Sequence, residues 1–459
     1  MSNENALFEE DFEMEFDDSP ATDMLGETPG EPDLVDQLTG PIDAPYKEVE
    51  HGVELPPMSS FQHGDRAIPA IAVLAFYESD DVRAMVERVS ADRRMINASV
   101  DMLQGGIPAA ISHLSQNPTP NLLIVESSAA SATMINQIDE LASHCEEGVQ
   151  VMVIGATNDI SLYRQLVARG VSEYLVPPIE PVQVVRAIGN LFTDPDAPFI
   201  GKSISVLGAK GGVGASTVAH NLAWSLAENA RVNTSLVDLD LSFGTTSLDF
   251  NHETQQTIAD ALLAPERADD AVISRLLAKA TDRLSLFTAP ASVNQLMDIE
   301  ADAYSTVIEG VRRLMPFVVL DLPHGWSQWI YNTLIASDEV IIVCQPDLAS
   351  LRNGKNMIDH LKSKRQNDNP PRLIINMAGV PKRPEIPVKD FASAIGVEPE
   401  VILPFDPQLF GTASNKGQMI SETDPQSKSA MAIDHLASML SGRQTAQPSK
   451  SLLKKLLGK

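Results

Sequence analysis

Short apolar runs alternate with amphipathic stretches along most of the chain. Between Ile68 and about Phe192, four apolar runs of strand length stand among four stretches with helical spacing. The apolar runs are Ile71 to Leu74, Leu122 to Val125, Val151 to Ile154 and Tyr174 to Val176, and the helical stretches are Asp81 to Ser90, Met134 to His144, Ile160 to Ala168 and Pro181 to Leu191. This alternation predicts a parallel sheet covered by helices on both faces.

A second series of alternating elements extends from Ile200 to about Ser441. The apolar run from Ile204 to Leu207 leads through a glycine-rich turn into a helical pattern that begins near Val218. Later apolar runs end in carboxylates, at Asp240 and Asp321. The pattern predicts a second α/β domain with a mostly parallel sheet, and its runs are too short to cross a bilayer.

Both ends of the chain depart from this alternation. From Met1 to about Arg66, 18 acidic residues stand against Lys47 and Arg66, a composition typical of disorder. Apolar side chains interleave with these acids, which fits either a short partner-binding motif or a solvated tail, at Phe8, Phe12, Met14 and Phe16. The segment is acidic and has no apolar core, so it does not resemble a secretory signal.

Charge and cysteine content narrow the function classes. A formal net charge of −28 over 459 residues disfavours a general nucleic-acid binder, which needs clustered Lys and Arg. The two cysteines, Cys145 and Cys344, are far apart and have no metal-ligand spacing. We therefore expect a protein of the reducing cytoplasm without a disulfide framework or a zinc site.

The glycine-rich turn has the composition of a phosphate-binding loop. Its glycines permit a tight turn whose backbone N–H groups wrap phosphates at a helix N-terminus. Ser216 stands where the loop hydroxyl ligates Mg²⁺, and Thr217 can reach a phosphate oxygen. Ala215 occupies the position where the general pattern has lysine. The predicted nucleotide contacts in the loop are Lys210, Gly211, Gly212, Val213, Gly214, Ala215, Ser216 and Thr217.

These motifs resemble those of the deviant Walker A ATPases, the MinD/ParA superfamily. The resemblance implies that Lys210 reaches nucleotide phosphates across a dimer interface and is catalytic together with Asp240, which positions the attacking water. It also implies ATP and Mg²⁺ as cofactors, with Ser216, Asp321 and Asp238 at the metal and Asn376 and Pro404 at the adenine. Each carboxylate could instead cap a neighbouring helix, and Asn376 could serve only turn chemistry.

The missing lysine at position 215 bears on turnover more than on binding. Phosphoryl transfer depends mainly on electrostatic stabilisation, to which the loop lysine contributes a point charge. The glycine-loop amides and Mg²⁺ remain. We therefore predict that the chain binds ATP and hydrolyses it slowly or not at all.

The first predicted domain resembles a response-regulator receiver domain in layout but not in chemistry. Glu126 stands where the family has its phosphoacceptor aspartate, Pro177 replaces the lysine before Pro178, and Gly155-Ala-Thr157 follows the fourth strand. This favours a pseudo-receiver at residues 67–195, joined to the ATPase domain at 200–441 by the linker 193–198. Alternatively, Glu126 is a capping carboxylate in an unrelated α/β domain.

The last ten residues have the pattern of a short amphipathic helix. Leucines share one helical face and lysines supply charge for anionic lipid. The predicted membrane contacts are Leu452, Leu453, Lys454, Lys455, Leu456 and Leu457. The tail, with the linker from 442, is similar to the membrane-targeting helix of MinD; docking on the protein's own core, or an unstructured tail, is the alternative.

The order of the parts is similar to that of the CpaE/TadZ proteins of Flp (tight adherence) pilus assembly. Membership implies a nucleotide-dependent homodimer, cytoplasmic and peripheral at the inner membrane, that marks a pole or membrane focus and recruits the pilus secretion components. Two alternatives are a MinD-like division or flagellar placement ATPase and a ParA-like DNA partition ATPase. The second requires a basic patch, for which the candidates are Lys362, Lys364, Arg365, Arg372, Lys382 and Arg383.

Overall fold

The computed structural model describes residues 65, 67–146, 148–192, 199–252, 254, 256–290 and 297–442. The predicted linker 193–198, the amphipathic tail and nearly all of the acidic N-terminal segment lie outside these residues. No helix in the described part of the chain combines the length and the apolar character that a membrane span requires.

The first sheet has five parallel strands in the order β2-β1-β3-β4-β5. Its strands are β1 (Ala72–Tyr77), β2 (Ser99–Gln104), β3 (Leu122–Ser127), β4 (Gln150–Gly155) and β5 (Glu173–Leu175). Its helices are α1 (Asp80–Ser90), α2 (Gly106–Leu114), α3 (Ser131–Ala142), α4 (Ile160–Val167) and α5 (Pro181–Phe192). This is the flavodoxin-like strand order, so the receiver-like layout is confirmed.

Two elements of this domain, β2 and α2, were not predicted from the hydrophobic pattern. Strand β2 is at the sheet edge, and its sequence Ser-Val-Asp-Met-Leu-Gln leaves it largely exposed. Helix α2 begins after Gly105 without a side-chain cap. Edge position weakens the apolar signal of the strand, and the missing cap removes the start signal of the helix.

The second sheet has eight strands in the order β13-β12-β11-β6-β10-β7-β9-β8 and is parallel except for the pair β8 and β9. Its strands are β6 (Lys202–Gly208), β7 (Thr234–Asp238), β8 (Ala278–Lys279), β9 (Leu284–Phe287), β10 (Phe317–Asp321), β11 (Glu339–Cys344), β12 (Arg372–Ala378) and β13 (Pro399–Pro404). The fold is that of a P-loop NTPase.

Helices cover both faces of this sheet and enclose two apolar cores. They are α6 (Ala215–Trp224), α7 (Thr246–Asp249), α8 (Ile258–Leu262), α9 (Asp270–Leu276), α10 (Ala301–Leu314), α11 (Gln328–Ala336), α12 (Leu348–Lys364), α13 (Val388–Ile395), α14 (Pro407–Lys416), α15 (Ile420–Thr423) and α16 (Lys428–Leu440). The central strands β11, β6, β10 and β7 all end at one edge. In an open parallel sheet, ligands bind at this carboxyl edge.

Candidate functional site

The phosphate-binding loop connects the central strand β6 to helix α6. Gly212 and Gly214 have φ angles of +74° and +85°, in the left-handed region that side chains disfavour. A Cβ atom on Gly214 would lie 2.4 Å from Nδ2 of Asn376. Glycine is therefore required at position 214 both by the backbone conformation and by the space available.

Four side chains from outside the loop donate hydrogen bonds to backbone carbonyl groups in or beside it. The bonds join His324 Nδ1 to Gly208 O (3.2 Å), Asn353 Nδ2 to Ala209 O (2.9 Å), Gln345 Nε2 to Gly212 O (3.0 Å) and Asn376 Nδ2 to Val213 O (2.8 Å). Within a peptide unit the C=O and N–H groups point in opposite directions. Holding the carbonyl groups of Ala209, Gly212 and Val213 from outside therefore turns the N–H groups of the residues that follow them to the opposite, concave side, where phosphate oxygens can bind. The N–H that follows Gly208 donates instead to the carbonyl of Val343 at 2.9 Å.

These supporting side chains were only partly anticipated. Asn376 is 4% exposed, and its amide holds the loop in place, while its Oδ1 accepts from the N–H of Met377. Pro404 ends β13 beside Ala378 of β12, so the two predicted adenine residues lie on adjacent strands. Asn353 and His324 were missed because neither belongs to a motif that marks the site, and both lie more than a hundred positions from the loop carbonyl groups that they contact.

Two aspartates meet at the ends of adjacent strands. Asp238 of β7 is the register partner of Asp321 of β10, and both are buried. Both oxygens of Asp238 accept backbone N–H groups, Oδ1 from Asp240 (3.1 Å) and Oδ2 from Thr246 (3.2 Å). Burial and the nearby Asp321 raise the pKa of Asp238 to about 6.

Asp321 differs because its buried Oδ1 has no hydrogen-bond partner. A buried carboxylate oxygen without a partner calls for a ligand, and hydrated Mg²⁺ takes oxygen ligands. The residues present therefore fit the metal, and the unpaired oxygen favours Asp321 over Asp238 as the carboxylate that faces it.

Asp240 lies in the turn that follows β7 and is not part of the strand. Its Oδ1 accepts from the N–H of Phe243 (3.0 Å), and its carbonyl accepts from the N–H of Gly244 (2.8 Å). The turn leaves Asp240 half-buried, and Phe243 is 78% exposed. The carboxylate is thus held at the rim of the site, where its predicted role in orienting water stays a prediction.

A buried histidine that the sequence pattern did not single out lies beside Asp321 and a further carboxylate, Asp249. The ring of His220, on α6, lies 3.0 Å from Oδ2 of Asp249 through Nδ1 and 3.4 Å from Oδ2 of Asp321 through Nε2. Burial works against protonation, but the hydrogen bonds to Asp249 and Asp321 raise the pKa of His220 to about 10. This direction of the pKa shift favours the protonated, positively charged ring, five residues after Ala215.

Lys210 forms an ion pair within its own chain. Its Nζ lies 2.6 Å from Oδ2 of Asp347, whose Oδ1 caps helix α12 at the N–H of Ser350 (2.8 Å). Burial works to raise the pKa of Asp347, but the hydrogen bonds from Lys210 and Ser350 together lower it. The lysine side chain remains 33% exposed, so it can leave this partner without unfolding the loop.

The first domain uses Glu126 to hold a loop together. Its Oε2 accepts from the N–H groups of Glu78 (2.6 Å) and Ser79 (2.8 Å), and its Oε1 accepts from Oγ of Ser79 (2.6 Å). The carboxylate thus fixes the connection between β1 and α1. It acts as a cap inside a receiver-like fold, which combines the two interpretations that the sequence left open.

The geometry of the loop predicts the effect of a single methyl group. Replacing Gly214 with alanine is expected to lower nucleotide affinity at least about tenfold, because a Cβ at positive φ would also displace Asn376 from Val213. Titration calorimetry with ATP and Mg²⁺ measures the change.

Gly189→Ala is the matched control, since a Cβ there meets nothing within 4 Å on helix α5. It is expected to leave affinity unchanged. Wild-type affinity in the Gly214 variant would contradict this account of the loop.

Comparison with known proteins finds matches to part of the chain. Residues 201–373 match a family model described as an AAA domain. The septum site-determining protein MinD of Synechocystis is 27% identical over 248 residues, which cover 52% of this chain and 89% of that protein.

Two solved structures have a higher percentage identity to this chain over a shorter part of it. The pilus assembly protein CpaE from Caulobacter crescentus is 43% identical, with a TM-score of 0.28, over 28% of this chain and 98% of its own. A putative CpaE2 pilus assembly protein from Sinorhizobium meliloti is 38% identical, with a TM-score of 0.26, over 26% of this chain and 99% of its own. The shared sequence extends over nearly the whole of both solved chains.

Proposed function

Because this chain belongs to the CpaE-type family within the MinD/ParA superfamily of ATPases, we propose that it is an ATP-binding, dimerising localisation factor. It would position the Flp pilus secretion machinery at a membrane site or cell pole. The observation that carries the proposal is a phosphate loop held in its binding shape, with Lys210 partly exposed and Ala215 in place of the usual lysine.

Nucleotide binding rests on the residues that the loop presents. Backbone N–H groups of Gly211 to Thr217 would wrap the phosphates at the start of α6, where the helix dipole favours negative charge. The hydroxyl of Ser216 and the unpaired oxygen of Asp321 would hold Mg²⁺. When bound, the metal neutralises charge on the phosphate oxygens. These contacts do not require a lysine at position 215, so binding survives its absence.

Turnover lacks one of its usual groups. Asp240 would orient a water molecule from the rim of the site, but position 215 supplies no lysine beside the phosphoryl group that would be transferred. The buried positive charge of His220 contacts Asp249 and Asp321, and these carboxylates offset it. We therefore assign the chain a long-lived ATP-bound state and slow hydrolysis.

Dimerisation would use Lys210. Its ammonium group would exchange Asp347 for the phosphates bound by a second copy of the chain, which offer more negative charge than one carboxylate. ATP binding would thus be the event that joins two copies.

Attachment to the membrane would follow from pairing two tails. A single short helix binds lipid weakly, whereas two linked tails gain avidity. In a flotation assay with anionic vesicles, the full chain is expected to float in the presence of ATP and Mg²⁺. The chain truncated after Pro448 is expected to stay with the soluble fraction. In cells, a fluorescent fusion of the truncated chain is expected to form no membrane foci.

The Gly189→Ala chain, with its tail intact, is the control for both readouts. Equal flotation of the truncated chain would rule out the tail as the anchor. Foci that persist without ATP binding, tested with Gly214→Ala, would contradict the proposed function itself. Similarity to MinD also favours a placement ATPase with rapid cycling as the second candidate, and a turnover assay separates the two.

A further inference from the structure

A buried group of charges joins the receiver-like domain to the ATPase domain. It contains four arginines and four aspartates, so its formal charges balance. The members of this interdomain ion cluster are Arg93, Arg94, Arg312, Arg365, Asp65, Asp92, Asp338 and Asp368. The ATPase-domain members Asp338 and Arg365 flank the amino-terminal ends of β11 and β12, at the edge of the sheet opposite to the phosphate loop.

One centre of the cluster is Asp368 of the ATPase domain. Its carboxylate pairs with two arginines of the receiver-like domain, Arg93 at 2.7 Å and Arg94 at 3.2 Å, and with Arg365 at 3.1 Å. Its side chain is only 9% exposed. One carboxylate thus forms ion pairs with arginines of both domains. Removing it would leave three buried arginines without the partner that they share.

The second centre joins Asp65 to Asp338. Asp65 pairs with Arg94 at 2.7 Å and with Arg93 at 3.2 Å, and its N–H donates to Oδ1 of Asp338 at 2.7 Å. The other oxygen of Asp338 accepts from Arg312 at 3.0 Å. Asp338 therefore connects the chain before β1 to the start of the central strands of the ATPase domain.

Further hydrogen bonds extend the contact around the ion pairs. Nδ2 of Asn367 donates to the carbonyl of Arg88, at 2.9 Å, and to Oδ2 of Asp92, also at 2.9 Å. Nη1 of Arg93 donates to the carbonyl of Ala336 at 3.0 Å. Burial works to raise the pKa of Asp65, but Arg94 and Arg93 together lower it, which keeps its carboxyl charged.

We propose that the interdomain ion cluster is a docking surface whose partner is the ATPase domain of the same chain, and that it makes the two domains one rigid body. Exposed ion pairs contribute little to stability. Breaking a buried, fully paired cluster destabilises much more, because it leaves buried charges without a partner or water. Docking at the edge opposite to the phosphate loop leaves the nucleotide face free for a second copy. The receiver-like domain is then carried as a fixed part of each protomer and does not rotate as a switch.

The test compares the double variant Arg93→Ala/Arg94→Ala with the full chain by small-angle scattering and calorimetry. The unaltered chain is expected to unfold in one main transition. The double variant is expected to show a larger radius of gyration and two separated transitions. Its ATP binding is expected to remain within about twofold of the unaltered chain, because the phosphate loop is at the opposite edge.

Arg83→Ala is the matched control, because the partners of Arg83 on α1 among the described residues are the exposed Asp80 and the half-exposed Glu87. It is expected to change neither readout. The single variant Asp368→Asn replaces the double variant if the latter fails to fold. The proposal is overturned if the substituted chain keeps the radius of gyration and the single transition of the control, or if the unaltered chain already unfolds in two transitions.

Discussion

ATP turnover of the Ala215→Lys variant is expected to exceed that of the unaltered chain by about a hundredfold, because one well-placed charge stabilises the transferring phosphoryl group by about that factor. Position 215 begins helix α6 and is half-buried, so a long side chain there can follow the loop towards the phosphates. ATP affinity is expected to change much less, because the backbone N–H groups are already held in place. Phosphate release under saturating ATP and Mg²⁺ measures the change.

The control for this variant is Ala215→Met, which adds length without charge. This variant is expected to leave ATP turnover at the level of the unaltered chain. That result would show that the gain in the lysine variant comes from its charge. If the unaltered chain already turns over rapidly and lysine changes little, then Ala215 does not limit hydrolysis.

Lys210 and its partner Asp347 are expected to affect dimerisation in opposite directions. Lys210→Ala should weaken the ATP-dependent dimer at least about thirtyfold, since truncating one member of a buried charge pair at an interface costs about 2 kcal/mol or more. Asp347→Asn keeps a side-chain oxygen that can cap α12 but releases Lys210 from its partner in the same chain. We expect it to tighten the dimer several-fold, as loss of a partly exposed ion pair worth up to about 1 kcal/mol implies.

Sedimentation velocity with ATP and Mg²⁺ measures both dimers. Asp269→Asn is the matched control, because Asp269 caps α9 through the N–H of Val272 in the same way, at 2.8 Å. It is expected to leave dimerisation unchanged. If Lys210→Ala and Asp347→Asn weaken the dimer equally, the ion pair between the two residues is kept in the dimer and does not compete with dimerisation.

Much of the fold followed from local patterns. Strand β6 is buried along nearly its whole length, and the apolar run predicted from Ile204 to Leu207 lies within two residues of both its ends. The phosphate loop was predictable in the same way, because its three glycines lie within four residues and the strand and helix beside it are adjacent in sequence. Such features depend on neighbours in sequence, which is why periodicity and spacing suffice for them.

The remaining features depend on pairs that are distant in sequence. Arg93 and Asp368 are separated by 275 positions, and Asn353 supports a carbonyl group 144 positions away. His220 falls within an apolar helical pattern and becomes notable only because Asp249 and Asp321 face its ring. A buried polar contact has no periodic signal, so neither the interdomain ion cluster nor the charge on His220 could be predicted.

The central claim is that two copies of this chain are held together by ATP that they do not readily hydrolyse. Its most direct test is to isolate the dimer after prolonged incubation with ATP and Mg²⁺ and to identify the bound nucleotide. The account predicts intact ATP, one per chain. A dimer that contains ADP, or one that forms equally without nucleotide, would contradict it.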